Sequence, residues 1–189
     1  MTSTRARQIL SGSLLVAVGL AVAQVLAYLL NLVAARVLGP DAFGAFAALM
    51  SVFLITSTIA LGLQAASAKV LTRTPEGERA RTGAGVLRLG VIVALGLGGV
   101  MLLLTPAIVR LLRLDSAWWG VLIAGTILLF TATGAQLGIA QGGEHFGRLG
   151  SLYATSQGFR TALAVAGALV GHGLTGTLVG YLVGALLAL

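Results

Sequence analysis

The sequence predicts an all-α fold: a polytopic membrane protein that forms a six-helix transmembrane bundle. Of 189 residues, 58% are hydrophobic and only 9% are charged, with a mean hydropathy of +1.02. Soluble globular proteins carry about 25% charged residues. The chain also has 27 glycines and only 3 prolines, and small residues of this kind are typical of membrane helices that pack closely. The composition therefore indicates that a lipid bilayer, rather than water, is the main solvent of the protein.

Six apolar segments emerge when the sequence is compared with the roughly 20 residues that a helix needs to cross a bilayer. The predicted helices are, in chain order, 9–35, 42–70, 86–109, 117–140, 149–170 and 174–189. The first is too long to be the apolar core of a cleaved signal peptide. The charged stretch 71–85 is predicted as a loop. Because the chain stops inside the sixth apolar segment, we expect it to be the first part of a longer protein, in which it forms the first of two bundles.

The distribution of Lys and Arg among the connections predicts how the helices are oriented. Positively charged residues favour the cytoplasmic side of short loops. One side of the predicted bundle carries Arg5, Arg7, Lys69, Arg73, Arg79, Arg81, Arg88 and Arg148, and the other carries Arg36, Arg110 and Arg113. This asymmetry predicts a cytoplasmic N-terminus and a cytoplasmic loop 71–85. The basic residues do not share one amphipathic face, so we interpret them as topological charges and predict no nucleic-acid partner.

The acidic residues and histidines exclude several kinds of site. All five carboxylates fall in predicted connections, at Asp41, Glu76, Glu78, Asp115 and Glu144. A proton or sodium site built on a buried carboxylate is therefore not expected in these helices. The chain has no cysteine, and its two histidines fall in different predicted loops. We predict no catalytic residues, no metal site and no cofactor, and the sequence does not indicate an enzyme.

Arg160 is the cation that the sequence places deepest in a predicted helix, roughly 16 Å from the start of the fifth segment. Tyr153, Ser156, Gln157 and Arg160 recur at helical spacing and share one face. An arginine at this depth faces the protein interior or a watery cavity, where a bound anion would be a suitable partner. The alternative is that the helix begins later and Arg160 extends to the lipid headgroups.

Neutral polar side chains form similar stripes on other predicted helices. Gln24, Tyr28 and Asn31 share one face of the first segment, and Gln64 lies on a polar face of the second. Such groups either join helices by hydrogen bonds or line a cavity that binds hydroxyl groups. Glycines also recur every four residues on the fourth and sixth segments, a spacing typical of closely packed helices. The glycine positions are Gly134, Gly138, Gly142, Gly176, Gly180 and Gly184.

Several motifs follow the order found in one transporter family. The first connection reads NLVAARVLGPDAFGAF, a basic residue follows Gly62-Leu63, and Gln141-Gly142 precedes an aromatic residue. The matching positions of the first connection are Arg36, Leu38, Gly39, Pro40, Phe43 and Gly44. Across its whole length the chain resembles the N-terminal half of polysaccharide-type (O-antigen-type) flippases. These proteins belong to the multidrug/oligosaccharidyl-lipid/polysaccharide exporter superfamily.

The resemblance implies a flippase that moves a lipid-linked oligosaccharide, carried on an isoprenoid diphosphate, across the inner (plasma) membrane by alternating access. Its partners would be this substrate, the lipid bilayer and a C-terminal helical bundle of the same or another chain. Candidate substrate-binding residues are Arg160, Gln157, Ser156, Arg36, Lys69, Gln64, Gln24 and Asn31. For Arg36, anchoring at the membrane interface is the alternative. Two other functions stay open: a multidrug/cation antiporter of the same superfamily, and a small accessory membrane protein without transport.

Overall fold

The computed structural model describes the backbone of residues 3–189 and the side chains of residues 12–170 and 173–189. Six α-helices follow one another: α1 (Ser3–Val37), α2 (Pro40–Arg73), α3 (Arg79–Leu111), α4 (Ala117–Gly142), α5 (Phe146–Gly167) and α6 (Gly173–Leu187). A short 3₁₀ helix, Glu76–Glu78, precedes α3, and a π-helical turn, Ala168–His172, joins α5 to α6. The described residues contain no strand, so the predicted all-α bundle is confirmed.

Helices α1 to α4 are longer than the apolar segments that predicted them, and the predicted loop 71–85 is wrong for most of its length. Helix α2 continues to Arg73 and α3 begins at Arg79, which leaves a short connection around Pro75. The physical reason is that hydropathy marks the part of a helix that prefers lipid, whereas hydrogen bonding decides where the helix ends. Arginine and alanine favour helix in water as well, while proline lacks the N–H that would extend α2.

The turn between α1 and α2 has the local features that its sequence demands. Gly39 has a φ of 75°, a left-handed conformation that glycine adopts without strain. Pro40 is the first residue of α2, where no intrahelical partner exists for an N–H. Asp41 lies in the first turn, at the positive end of the helix dipole. This connection is therefore a tight turn whose residues all stabilise the start of α2.

Helices α4 and α5 organise the bundle. Helix α4 packs against α2, α3 and, over a smaller area, α6, whereas α5 packs between α1 and α6. Helices α1 and α2 contact each other little, although they follow one another in the chain. The bundle thus consists of an α1–α5–α6 layer and an α2–α4–α3 layer that meet where α4 contacts α6. A gap remains between the layers on the side of α1 and α2.

Glycines allow the backbones of neighbouring helices to touch. A Cβ atom at Gly134, Gly138 or Gly142 of α4 would lie within 2.5–2.7 Å of a backbone oxygen of α2. On α6, Gly180 and Gly184 face the backbone of α5 in the same way. Both glycine stripes are therefore buried against helices of this chain, as close packing between membrane helices requires.

The surface of the bundle is that of a multi-pass membrane protein. Helices α1 to α4 each contain a stretch long and apolar enough to cross a membrane, and α6 is a shorter apolar helix. Their large apolar side chains are widely exposed, for example Leu103 at 83% and Ile55 at 72%. Helix α5 is more polar because one of its faces carries the predicted stripe of Tyr153, Ser156, Gln157 and Arg160.

Candidate functional site

A cavity of about 220 Å³ lies in the gap between the two layers. Its walls come from α1, α2, α4 and α5, and Ala188 closes it beyond the end of α6. Most of the lining is apolar. The polar side chains that line it are Gln24, Gln64, Thr133, Gln136, Tyr153, Ser156, Gln157 and Arg160. The predicted polar stripe of α5 therefore faces this cavity.

Arg160 is a buried cation in the cavity wall, with only 6% of its surface exposed. Its Nε donates a hydrogen bond to the backbone oxygen of Ser156, one turn earlier, at 3.2 Å. Among the described residues, the guanidinium makes no further hydrogen bond, and no carboxylate lines the cavity. The side chain thus lies in the protein interior rather than extending to a helix end, and its remaining N–H groups are available to a bound anion.

Aromatic rings fix the position of this guanidinium. The Cζ atom of Arg160 lies 4.9 Å from the ring centroid of Phe130 and 5.7 Å from that of Tyr181. Phe53 packs edge-on against both rings, at centroid distances of 5.0 and 5.8 Å. Cation–π contacts of this kind stabilise a desolvated arginine without neutralising its charge. Helices α2, α4 and α6 therefore supply an aromatic support for the cation of α5.

The close approach of α6 to α5 contributes to the same arrangement. A Cβ atom at Gly184 would lie 2.5 Å from the Cα atom of Arg160. Glycine therefore allows α6 to bring the Tyr181 ring beside the guanidinium. Toward α1, the amide nitrogen of Gln157 donates to the hydroxyl of Thr161, which in turn donates to the backbone oxygen of Leu26. These contacts hold α5 between its two neighbours.

The other end of the cavity carries a neutral polar network that joins three helices. The Nε2 atom of Gln64 on α2 donates to Oε1 of Gln141 on α4, at 2.9 Å. The same nitrogen donates to the hydroxyl of Tyr153 on α5, at 2.7 Å. Gln64 is buried, Tyr153 is half-buried, and Gln141 is exposed and does not itself line the cavity. Both N–H groups of the Gln64 amide are thus engaged, and the network connects α2 to α5 across the cavity.

The structure brings together five of the eight candidate residues and leaves three outside. Gln24, Gln64, Ser156, Gln157 and Arg160 line the cavity. Arg36, Lys69 and Asn31 have exposed side chains and do not line it. Asn31 shares the helical face of Gln24 but lies about 10 Å further along α1, beyond the cavity, where its amide donates to the backbone oxygen of Ala27. Arg36 and Lys69 lie close to helix ends. These three residues are not part of the candidate site.

Sequence reasoning missed the aromatic side chains of the site. Phe130 and Tyr181 stand in apolar stretches where nothing in the local pattern distinguishes them from residues that face lipid. Tyr28, in contrast, shares a polar stripe with Gln24 but is 66% exposed and outside the cavity. Gln141 was visible only as part of a family motif. Helical spacing identifies residues on one face, but contacts between distant helices decide which part of that face meets a cavity.

Metal ligands and acidic groups do not contribute to this cavity. The carboxylates of Asp41, Glu76, Glu78, Asp115 and Glu144 are all on exposed residues near helix ends. Within the part of the chain whose side chains are described, no three His, Asp or Glu residues lie close enough to hold a metal ion. The side chain of His172 lies outside the described residues, as do those of Arg5 and Arg7. The site is therefore a cationic and amide-rich cavity.

Comparisons with known proteins identify the fold. No protein-family model and no curated protein sequence matches the chain. One similar solved structure is a multidrug resistance MATE family transporter of the MOP superfamily in an outward-facing conformation, with a TM-score of 0.79 and 17% identity. Another is a MOP superfamily transporter from Pyrococcus furiosus Vc1 (DSM3638), with a TM-score of 0.75 and 16% identity. The matches cover 96% and 94% of this chain but 42% of each neighbour. The chain thus has the fold of about half of such a transporter.

Proposed function

We propose that this chain forms the first helical bundle of a transporter that moves a lipid-linked oligosaccharide across the inner membrane. The substrate would be carried on an isoprenoid diphosphate, and the cavity would bind its polar part in alternation from the two sides of the membrane. A second bundle, from the same or another chain, would complete the transport pathway. The shared fold supports a membrane transporter, and the chemistry of the cavity supports an anionic substrate.

The proposal rests mainly on the buried Arg160 guanidinium in the cavity wall. A guanidinium whose N–H groups face a cavity free of carboxylates is matched by a phosphate or diphosphate, which accepts several of these hydrogen bonds at once. The aromatic support leaves the positive charge available to such a ligand. Gln64, Gln157 and Ser156 add neutral groups that suit hydroxyls. Nothing in the arrangement requires covalent chemistry.

The comparison with the second neighbour supports a change of substrate within one fold. That transporter is described as having a binding pocket of reversed polarity that suggests a different function. The present cavity holds a cation, Arg160, whereas an exporter of cationic drugs would need a negative charge. The alternative remains a multidrug antiporter, which the shared fold favours equally. A substrate of that kind would have to be neutral or anionic, because a buried arginine repels cations.

The experiment compares two arginines in a bacterial strain that lacks its own lipid-linked-oligosaccharide flippase. The complete natural gene is expressed as wild type, as Arg160→Gln and as Arg88→Gln, and surface polysaccharide is measured. Arg88 is exposed on α3 and provides a charge-matched control. Loss of charged hydrogen bonds predicts a reduction of about 10- to 100-fold for Arg160→Gln, whereas Arg88→Gln retains export.

The same strains distinguish the alternative function. Export of a neutral or anionic lipophilic dye is measured in parallel, with the amount of protein in the membrane as a control. If Arg160→Gln leaves polysaccharide export at the wild-type level, the flippase proposal is wrong. If the wild-type protein confers dye export but no polysaccharide export, the multidrug alternative takes its place.

A further inference from the structure

The cavity is chemically divided along its length. At one end, Arg160 lies with Phe130, and at the other, Gln64 lies with Tyr153 and Gln141. Tyr153 and Arg160 are two turns apart on the same face of α5, about 10 Å along the helix. Phe130 and Gln141 are three turns apart on α4, roughly 16 Å. A single ligand that reaches both ends must therefore carry an anionic group at one end and a neutral hydrogen-bonding group at its other end.

The neutral end has free hydrogen-bonding capacity of both kinds. The Gln64 amide uses its two N–H groups on Gln141 and Tyr153, and its oxygen accepts no hydrogen bond from the described residues. The Tyr153 hydroxyl accepts from Gln64 and still has a proton to donate. The Gln141 amide retains its N–H₂ group, and this residue is exposed beside the cavity through its hydrogen bond to Gln64. A ligand with several hydroxyls, each both donor and acceptor, fits this combination better than an anion or an apolar group.

The size of the cavity limits what the neutral end can hold. A volume of about 220 Å³ is below the range of roughly 300–1,000 Å³ typical of pockets for drug-sized ligands. There is room for a phosphate group and one small ring, but not for an oligosaccharide. Further sugars would have to extend through the gap between α1 and α2, where the two helices contact each other little.

We propose that Gln64, Tyr153 and Gln141 form a hydroxyl-binding subsite for the single sugar ring attached directly to the phosphate that Arg160 binds. This inference rests on the proposed function, because it assumes that Arg160 binds the anionic part of the same ligand. The ring hydroxyls donate to the Gln64 oxygen and accept from Tyr153. The subsite lies at the end of the bundle where α2 and α4 finish and α5 begins, so the sugar points toward that end and the phosphate toward the middle.

The test measures two probes on the purified full chain in lipid nanodiscs by titration calorimetry. Inorganic phosphate reports on the anionic end, and glucose 1-phosphate reports on both ends. We expect Arg160→Gln to weaken both probes by about 10-fold or more. Tyr153→Phe removes one hydroxyl and should weaken glucose 1-phosphate by about 3- to 10-fold while phosphate affinity is unchanged. Gln64→Met should do the same, and Tyr28→Phe, on an exposed tyrosine, should change neither.

The outcomes separate this inference from the function on which it rests. If phosphate does not bind, or binds equally well to Arg160→Gln, the anion site and the subsite are both wrong. If phosphate binding depends on Arg160 but Tyr153→Phe leaves the affinity ratio of the two probes unchanged, only the subsite is wrong. Should Gln64→Met fail to fold, Tyr153→Phe decides the question, because phenylalanine retains the packing of the ring.

Discussion

Helices α3 and α5 show how differently two helices of one membrane bundle can be used. Helix α3 contains the candidate span of highest mean hydropathy, 2.4, and packs mainly against α4. Helix α5 is not apolar enough to stand out as a span, yet it packs between α1 and α6 and carries four of the cavity's polar side chains. Each helix has an arginine well inside its length, Arg88 exposed on α3 and Arg160 buried on α5. The helix with the weaker membrane signal is the one that forms the site.

The difference follows from what each helix faces. A helix that contacts lipid on most of its surface has to be apolar there, and its sequence is dominated by that requirement. A helix surrounded by protein and a cavity has its polar groups satisfied by neighbours, so its composition is free to follow function. Low hydropathy within a helical bundle therefore indicates a candidate site, provided that the helix is enclosed by others.

The largest effect that would test this comparison comes from glycines on the two helices. Gly150 of α5 faces α1, and a Cβ atom there would lie 2.5 Å from the backbone oxygen of Leu15. Gly96 of α3 has no neighbour within 4 Å of the same position. We expect Gly150→Leu to separate α1 from α5 and to destabilise the protein by about 1–3 kcal/mol or more, whereas Gly96→Leu should have little effect. The stability of both variants is measured by thermal unfolding in detergent and by the yield of monodisperse protein. Equal losses for the two variants would contradict the packing of α5.

An intermediate effect is expected where the aromatic rings hold Arg160. A double-mutant cycle of Arg160→Met and Phe130→Leu isolates the cation–π contact from the packing of either side chain. We expect a coupling free energy of about 0.5–2 kcal/mol in unfolding experiments. A control cycle combines Arg160→Met with Phe159→Leu instead. The Phe159 ring is 46% exposed on α5, so this cycle should give a coupling near zero. A coupling as large for Phe159 would show that Arg160 is not held by the rings of α4 and α6.

The smallest effect is expected at exposed cations that, like Arg88, lie outside the cavity. Arg36→Ala and Lys69→Ala remove residues that the sequence suggested for substrate binding but that do not line the cavity. Surface substitutions of this kind usually change stability by no more than about 0.5 kcal/mol. We expect phosphate affinity to stay at the wild-type level, as measured by the same titrations in nanodiscs. A loss comparable to that of Arg160→Gln would mean that the binding site extends to the helix ends.

Much of the architecture could be predicted because it is encoded locally. The number of helices follows from apolar segments, and the first turn follows from Gly39, Pro40 and Asp41, each of which has a specific role in ending or starting a helix. Helix ends such as those around Pro75 were less accurate, since polar residues continue a helix beyond the bilayer. Arg160 could be identified as a candidate because an arginine deep in an apolar bundle requires a reason.

The sequence by itself determined, through its composition, that this is a membrane-embedded helical bundle whose membrane segments carry no acidic residue. The spacing of its polar residues determined that α5 has a polar face. The tertiary structure alone decided that the polar face lines a cavity, that Phe130 and Tyr181 enclose the Arg160 guanidinium, and that Gln64 joins Gln141 and Tyr153. The physical reason is that sequence periodicity is local, whereas contacts between helices are long-range. Periodicity fixes which residues share a face of one helix, whereas a cavity is made where faces of helices distant in sequence fail to meet.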